Sequence, residues 1–202
     1  RGVAAYAGET ISAALDLPRD RGQLPGAVAV GPDASIYLTI ARAEAGSTEG
    51  VQVLLATESG GFEVVAGQGV GCTHSRTSAS EAQFTSLTGV AVAADGTVYV
   101  ADPRCGSVYS IAAGQVDVVL GGPDDPHAAI RMPVDVAMVG DDVYVADAGT
   151  GEVVRVGDGE TVLAADEVPE GFEPDELQSL AATPDGDLVV AVRHRLLGVG
   201  LG

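Results

Sequence analysis

The stretch TGVAVAADGTVYVAD, residues 88–102, predicts the fold of this chain. Apolar residues alternate with small ones on both sides of Asp95 and Gly96, the pattern of two antiparallel strands joined by a tight turn. The four copies of this pattern are PGAVAVGPDASIYLTI from Pro25, LTGVAVAADGTVYVAD from Leu87, PVDVAMVGDDVYVAD from Pro133 and LQSLAATPDGDLVVAV from Leu177. The chain is therefore built from a repeated hairpin.

Further short apolar runs follow each hairpin. The runs compatible with third strands are VQVLLA from Val51, SVYSI from Ser107, EVVRV from Glu152 and RLLGV from Arg195. Those compatible with outer strands are FEVVAG from Phe62, VDVVLG from Val116 and TVLAAD from Thr161. The last copy has no outer strand after it, but VAAYAG from Val3 matches FEVVAG in its closing Ala-Gly.

This placement predicts an all-β, four-bladed β-propeller that the N-terminal strand closes. If residues 1–8 supply the outer strand of the last unit, four sheets surround one axis, and their edges are short and protected. The predicted single domain, 1–202, has blades at about 24–67, 87–121, 132–165 and 177–202 plus 1–8.

The inner strands and the second strands support this interpretation. One shared inner position holds Ala29, Ala91, Ala137 and Ala181, and one position of the second strands holds Tyr37, Tyr99, Tyr144 and Val189. Small residues alternating with larger ones suit the crowded region near a propeller axis. An open repeat array or a β-sandwich is the alternative interpretation.

Composition restricts the partners. The formal net charge of -19 over 202 residues disfavours nucleic acid and anionic lipid as partners. No apolar run reaches the roughly 18 to 20 residues of a membrane helix, so the segment itself is predicted to be soluble. The abrupt start at Arg1 and stop at Gly202 leave room for a larger parent protein with a membrane anchor.

The repeats resemble those of NHL-repeat β-propellers. The resemblance is carried by GVAVAADGTVYVAD, by PVDVAMVGDDVYVAD, and by VVAGQGVG followed by SASEAQFTSLTG. This family includes extracellular sensor domains of bacterial receptor-like Ser/Thr kinases. The resemblance implies a bacterial sensor or interaction domain at the cell surface, and it is poorly specific for any activity. The last copy departs from the pattern, with VVAV where the second and third copies have YVAD.

The aspartates of the repeats are predicted to be structural. Asp102 and Asp147 end second strands, where they are expected to accept hydrogen bonds from nearby backbone amides. The hairpin turns contain Asp33, Asp95, Asp141, Asp142 and Asp185. None of these turns has the spaced ligands of a dedicated calcium loop.

Cys72 and Cys105 are the only cysteines. The connection into an inner strand and the loop between second and third strands emerge on one side of a propeller, which we call the loop face. The two cysteines therefore lie on the same side, and an even count in a secreted chain favours a disulfide. Two free buried thiols are the alternative, and the spacing is not that of a CxxC redox or metal pair.

The loop face is also the predicted binding face. Its candidate residues are Arg76, Arg104, Arg131, His74, His127, Arg193 and Arg195. A basic sector around Arg76, Arg104 and Arg131 would lie within an acidic rim. The alternative is a set of ordinary solvated loops, because these long connections carry acidic residues as well.

No catalytic motif is present. His74, His127 and His194 lie in separate loops without HxH or HExxH spacing, and no serine has a GxSxG context. The resemblance to NHL-repeat propellers, together with the lack of a catalytic motif, predicts a non-catalytic extracytoplasmic domain, without metal or cofactor, that binds a protein or a small extracellular ligand. A metal-dependent propeller lyase or hydrolase with a histidine-lined site is the alternative, and a purely structural assembly module is a third.

Overall fold

The structure is a computed structural model of the chain. It describes residues 2–7, 10–16, 24–42, 50–122, 130–164, 167, 173–193 and 195–201, and only the backbone of 2–7, 10–16 and 41–42. Most of the regular structure is β-strand, and a short 3-10 helix, Pro174–Glu176, precedes the last inner strand. Within these residues no helix has the length and apolar content that a bilayer span requires.

The strands fall into a hairpin and four sheets. The hairpin consists of β1 (Gly2–Ala7) and β2 (Thr10–Asp16). Blade 1 consists of β3 (Leu24–Val30), β4 (Ile36–Arg42), β5 (Val53–Ala56) and β6 (Phe62–Ala66). Blade 2 consists of β7 (Thr77–Ser78), β8 (Gly89–Val92), β9 (Val98–Asp102), β10 (Ser107–Ala112) and β11 (Gln115–Gly121).

The second half of the chain repeats the arrangement. Blade 3 consists of β12 (Pro133–Val139), β13 (Asp142–Asp147), β14 (Glu152–Arg155) and β15 (Thr161–Leu163). Blade 4 consists of β16 (Leu177–Ala182), β17 (Leu188–Val192) and β18 (Arg195–Val199). Neighbouring strands in each blade pair antiparallel. The predicted four-bladed β-propeller is thus confirmed.

Strand register confirms the repeat alignment at the level of single residues. The cross-strand partners are Ala29 with Tyr37, Ala91 with Tyr99, Ala137 with Tyr144 and Ala181 with Val189. A small residue on the inner strand leaves room for the larger residue beside it on the second strand. The same pairing therefore recurs in all four blades.

Every blade has two faces, and we call the face toward the preceding blade its front and the other its back. On the front of blade 2, Val90 and Val100 are buried against blade 1. On its back, Ala91 packs in one cluster with Val136 and Val145 from the front of blade 3. The back of blade 3 packs on the front of blade 4 in a further cluster. Burial of aliphatic fronts against backs that carry alanine and tyrosine holds the blades together.

The predicted closure by the N-terminal strand is wrong. β1 pairs with β2, in a register that places Gly2 opposite Asp16 and Ala7 opposite Thr10. In the described part of the chain, blade 4 has three strands, and β18 pairs with β17. The run TISAALD directly after β1 provides a local strand partner, and closing a short hairpin costs less chain entropy than pairing across the whole sequence.

Blade 2 has a strand that the sequence did not predict. β7 pairs with the outer strand β11, with Thr77 opposite Val116 and Ser78 opposite Gln115. Two polar residues carry no periodic apolar signal, so their pattern does not reveal a strand. As a result, the connection between blades 1 and 2 runs along the outer edge of blade 2.

Candidate binding face

Asp102 organises the loop face of blade 2. Its side chain is buried at the end of β9, and its carboxylate accepts hydrogen bonds from four backbone N–H groups. The donors are Thr85 at 2.6 Å, Ser86 at 3.2 Å, Arg104 at 3.1 Å and Cys105 at 3.2 Å. Burial raises the pKa of Asp102, whereas the four N–H donors oppose that rise. The prediction that this aspartate binds backbone amides is confirmed.

Asp147 has the same role in blade 3. Its carboxylate accepts hydrogen bonds from the N–H groups of Arg131 at 2.8 Å, Met132 at 2.7 Å and Gly149 at 2.9 Å. The hydroxyl of Thr150 donates to it at 3.3 Å. Asp147 therefore ties the connection that enters blade 3 to the loop between its second and third strands, and this prediction is confirmed too.

The Cys72–Cys105 disulfide is present, as predicted. The two Cα atoms are 5.6 Å apart, and the bond joins the connection into blade 2 to the loop after β9. The hydroxyl of Thr85 lies between these segments, 3.2 Å from Sγ of Cys105, and donates to the carbonyl of Gly71 at 3.1 Å. The disulfide and Asp102 thus fix the same loop from two sides.

Arg104 and Arg131 lie on adjacent loops, which are held by the two buried aspartates and the disulfide. A Cβ atom at Gly106 would lie 3.3 Å from the carbonyl oxygen of Arg131, and a Cβ at Gly149 would lie 2.5 Å from the Cβ of Arg131. Arg131 therefore lies between the loops that follow the second strands of blades 2 and 3. Both arginine side chains are exposed.

Arg104 and Arg131 differ from Arg76, Arg155 and Arg193 in their partners. Within the described residues, neither side chain makes a hydrogen bond or an ion pair. By contrast, Arg155 pairs with Asp158 and Glu160 at the edge of blade 3. In a chain with 29 acidic residues and ten arginines, two arginines on adjacent loops whose side chains have no acidic partner are a distinctive feature.

The other predicted binding residues are more scattered. Arg76 lies beside the outer strand of blade 2, where its guanidinium is 3.7 Å from the carboxylate of Asp117. His74, in the same connection, is exposed. Arg195 is exposed at the start of β18 in blade 4. His127 lies outside the described residues. The structure therefore places Arg104 and Arg131 on adjacent loops, and no contact among the described residues joins Arg76 to either.

Blade 4 contributes an acidic cleft to the loop face. The cleft has a volume of about 400 Å³ and is lined by Glu173, Asp175, Glu176, Gln178 and Arg193. Arg193 forms an ion pair with Glu176, and its backbone N–H donates to the carbonyl of the same residue at 3.0 Å. This arginine is thus engaged within the protein, unlike Arg104 and Arg131.

Asp135 is a carboxylate that the sequence analysis did not select. It lies on the inner strand β12, and its Oδ2 accepts a hydrogen bond at 2.9 Å from the N–H of Leu180 in blade 4. Burial raises its pKa to about 6. An Asp inside an otherwise apolar run, VDVAMV, was the sequence signal that could have identified it.

Possible metal ligands do not converge in the part of the chain that the structure describes. No group of three or more His, Cys, Asp and Glu side chains there has the geometry to hold a metal ion. The two cysteines are in the disulfide, and His127 and His194 fall outside the described ranges. The described residues therefore supply no set of about three converging ligands, which a catalytic zinc site needs.

The sequence matches no protein-family model and no curated protein. Solved structures share its fold. Virginiamycin B lyase from Staphylococcus aureus superposes with a TM-score of 0.58 at 14% identity, over 93% of this chain and 54% of the lyase. A proposed gluconolactonase superposes with a TM-score of 0.59 at 13% sequence identity, over 92% of this chain and 61% of the gluconolactonase. The extracellular domain of a proposed one-component system from B. thetaiotaomicron superposes with a TM-score of 0.57 at 11% sequence identity. The match covers 92% of this chain and 23% of that protein.

These similarities establish the propeller fold and nothing finer. The chain spans little more than half the length of the first two structures. The neighbours include two enzymes and a sensor domain, so they leave the question of catalysis undecided. The NHL relationship stays a prediction.

Proposed function

We propose that this chain is a non-catalytic, extracytoplasmic binding domain of the NHL type that recognises an anionic group of a protein or small ligand on its loop face. The observation that carries the proposal is the pair Arg104 and Arg131. Their backbone N–H groups are held by Asp102 and Asp147, while their side chains are exposed and make no internal ion pair. A guanidinium group binds carboxylates with paired, charge-assisted hydrogen bonds.

Rigidity supports this role. An arginine on a fixed loop loses less entropy on binding than one on a mobile loop, so more of the interaction energy remains as affinity. The loop of Arg104 is fixed by the disulfide and by the carboxylate of Asp102. That carboxylate accepts hydrogen bonds from two N–H groups of the loop and from two N–H groups of the connection beside it. The loop of Arg131 is fixed through the carboxylate of Asp147.

Two observations support an extracytoplasmic location. Disulfides persist in oxidising compartments and are rare in the cytosol. One structural neighbour is an extracellular domain. The sequence resemblance to extracellular sensor domains agrees with both, and a protein or small extracellular ligand is the expected partner.

Charge reversal tests the proposed face. We expect a short fluorescent peptide with several glutamates to bind the wild-type chain in an anisotropy titration at 0.15 M ionic strength, where the Debye length is about 8 Å. Arg104→Glu combined with Arg131→Glu should weaken binding by about tenfold to 100-fold, because charge-assisted hydrogen bonds are lost. A control for the loss of a positive charge elsewhere is Arg155→Gln, which should bind like wild type.

Two results would contradict the proposal. One is the absence of peptide binding by the wild-type chain, and the other is binding that survives the double reversal. Arg76→Glu tests the third member of the predicted sector separately. Since Arg76 lies beside Asp117 on the outer edge of blade 2, we expect only a small loss of binding.

A metal-dependent enzyme is the second candidate, favoured by the lyase and gluconolactonase neighbours and by Asp135. A carboxyl group with a pKa of about 6 is suited to general acid–base chemistry near neutral pH. Elemental analysis of the purified protein tests this function. Bound metal together with a chelator-dependent fall in melting temperature would favour the enzyme, and absence of both would remove it.

A further inference from the structure

The chain contains three Asp-Gly pairs, Asp95–Gly96, Asp158–Gly159 and Asp185–Gly186, and each lies in a tight turn between neighbouring strands. All three aspartates are exposed. The backbone nitrogen after an aspartate can attack the side-chain carboxyl carbon and form a cyclic imide. Glycine favours this attack because it has no Cβ atom to obstruct the approach. The three pairs are therefore candidate sites of a spontaneous chemical modification.

The carboxylates of Asp95 and Asp158 are held by the backbone two residues further along the chain. The N–H of Thr97 donates to Oδ1 of Asp95 at 2.9 Å, and this bond lowers the pKa of Asp95. The N–H of Glu160 donates to Oδ1 of Asp158 at 3.1 Å. The guanidinium of Arg155 also binds Asp158 and lowers its pKa to about 2. Both carboxylates are thus kept ionised, and an ionised carboxylate cannot lose an oxygen as water.

Asp185 lies in a turn where this restraint is missing. The N–H two residues further along belongs to Asp187, and it donates to Oγ1 of Thr183 at 3.0 Å instead. The aligned residue in blade 2 is Ala93, which has no hydroxyl to take the N–H. Otherwise the two turns match, because the glycine N–H donates to the carbonyl of Thr183 at 3.1 Å in one and to that of Ala93 at 3.0 Å in the other. Among the residues that the structure describes, no group donates to the carboxylate of Asp185.

We propose that Asp185–Gly186 is the Asp-Gly pair that isomerises to isoaspartate while the protein is folded. The backbone nitrogen of Gly186 forms a bond to Cγ of Asp185, and the hydroxyl of the protonated carboxyl group leaves as water with the N–H proton. Water then opens the imide. Attack at Cγ restores aspartate, whereas attack at the backbone carbonyl carbon gives isoaspartate, in which the main chain runs through Cγ. The reaction needs no oxidant, reductant or cofactor.

The modification is local to the turn between β16 and β17. Isoaspartate adds one methylene group to the main chain and turns the backbone carboxyl group into a side branch. This turn lies at the end of blade 4 opposite the loop face, so the arginines of the proposed binding face are remote from it. The proposal is therefore independent of the proposed function.

Peptide mapping after prolonged incubation at physiological temperature and neutral pH tests the proposal. Cleavage after arginine separates residues 77–104, which contain Asp95, from residues 156–193, which contain Asp158 and Asp185. Fragmentation that distinguishes isoaspartate from aspartate assigns the modification to single residues. The isoaspartate fraction at Asp185 should exceed the fractions at the other two pairs by about tenfold, the factor expected from one hydrogen bond to a charged group. In denaturing urea the three fractions should become similar, because no carboxylate is then held.

Variants of Thr183 test the cause. Thr183→Val keeps the branched shape but removes the hydroxyl, so the N–H of Asp187 can bind Asp185, and the isoaspartate fraction there should fall to that at Asp95. Thr183→Ser keeps the hydroxyl and is the matched control, which should be modified like wild type. Ala93→Thr introduces the competing hydroxyl into blade 2 and should raise the fraction at Asp95. Circular dichroism melting verifies that each variant is folded.

Three results would overturn the proposal. The first is an equal isoaspartate fraction at all three pairs of the folded protein, and the second is the absence of isoaspartate at Asp185. The third is a folded Thr183→Val protein that isomerises as fast as wild type, because the hydroxyl of Thr183 would then not be what leaves the carboxylate of Asp185 unrestrained.

Discussion

Blades 2 and 3 differ from blades 1 and 4 at one aligned position of the second strand, three residues after the position that holds Tyr37, Tyr99, Tyr144 and Val189. In blades 2 and 3 this residue is an aspartate, Asp102 or Asp147, whose buried carboxylate accepts several backbone N–H groups. The aligned residues of blades 1 and 4 are Ile40 and Val192, which are buried and apolar. All four side chains fill space in the sheet, but only the aspartates also hold the loops beside it.

This difference explains where the candidate site lies. A carboxylate that binds N–H groups from two segments fixes both segments, whereas an aliphatic side chain fixes only its packing neighbours. The exposed arginines Arg104 and Arg131 belong to the loops that the aspartates hold. In blade 4 the loop is held instead by Arg193 and Glu176, which uses the guanidinium group internally.

Removal of the Asp102 carboxylate tests this difference between the blades, and it should have the largest effect on the free energy of unfolding. Asp102→Ala leaves four buried N–H groups without their acceptor, and we expect the free energy of unfolding to fall by about 4 kcal/mol. Urea denaturation measures it. The comparison variant in blade 1 is Ile40→Val, which removes one methylene group and should cost about 1 kcal/mol. A loss for Asp102→Ala no greater than that for Ile40→Val would contradict the anchoring role.

The sequence predicted the features that depend on one repeat. The hairpin period, the Ala-Tyr pairing and the strand-ending aspartates are encoded within about 15 residues each, so they could be read from the pattern. Cys72 and Cys105 could be paired because the strand order puts both segments on one side of the blade. These predictions need only the local path of the chain.

The features that were missed depend on contacts between segments. An apolar run such as VAAYAG can pair with any free strand edge, so its pattern did not distinguish β2 from β18 as its partner. The path of the connection that carries Arg76 was not predicted, because β7 pairs along the outer edge of blade 2 without a periodic apolar signal. Asp135 is significant because blade 4 supplies a donor for it, and no pattern within blade 3 shows that.

Crowding between the inner strands of blades 2 and 3 provides a second test, with an intermediate expected effect on the free energy of unfolding. A Cβ atom at Gly89 would lie 2.6 Å from Cα of Asp135 and 2.9 Å from the backbone nitrogen of Val136. Gly89→Ala should therefore lower the free energy of unfolding by about 2 to 3 kcal/mol through overpacking. Ser179, the aligned residue of blade 4, is half-buried on the face that also carries the exposed Ala181, and Ser179→Ala should change stability by less than about 0.5 kcal/mol. Equal effects from the two alanines would mean that the junction of blades 2 and 3 is no tighter than the exposed end of the propeller.

The smallest expected effect concerns Asp135 and its dependence on pH. Its pKa in the folded chain is about 6, above the ordinary value of 3.8, so folding favours the protonated form. Its contribution to stability is therefore complete below about pH 4 and is lost as the pH rises through about 6. Asp135→Asn, which cannot ionise, should be more stable than wild type above pH 6, by about 1 to 2 kcal/mol.

Urea denaturation of both proteins between pH 4 and pH 7 measures the difference, which should grow as the pH rises. The control is Asp158→Asn, at the exposed end of blade 3. The guanidinium of Arg155 lowers the pKa of Asp158 to about 2, so its contribution is present at pH 7 and is lost only as the pH falls toward 2. This variant should show no gain in stability at neutral pH. A difference for Asp135→Asn that did not change with pH would show that its carboxyl group does not titrate in this range.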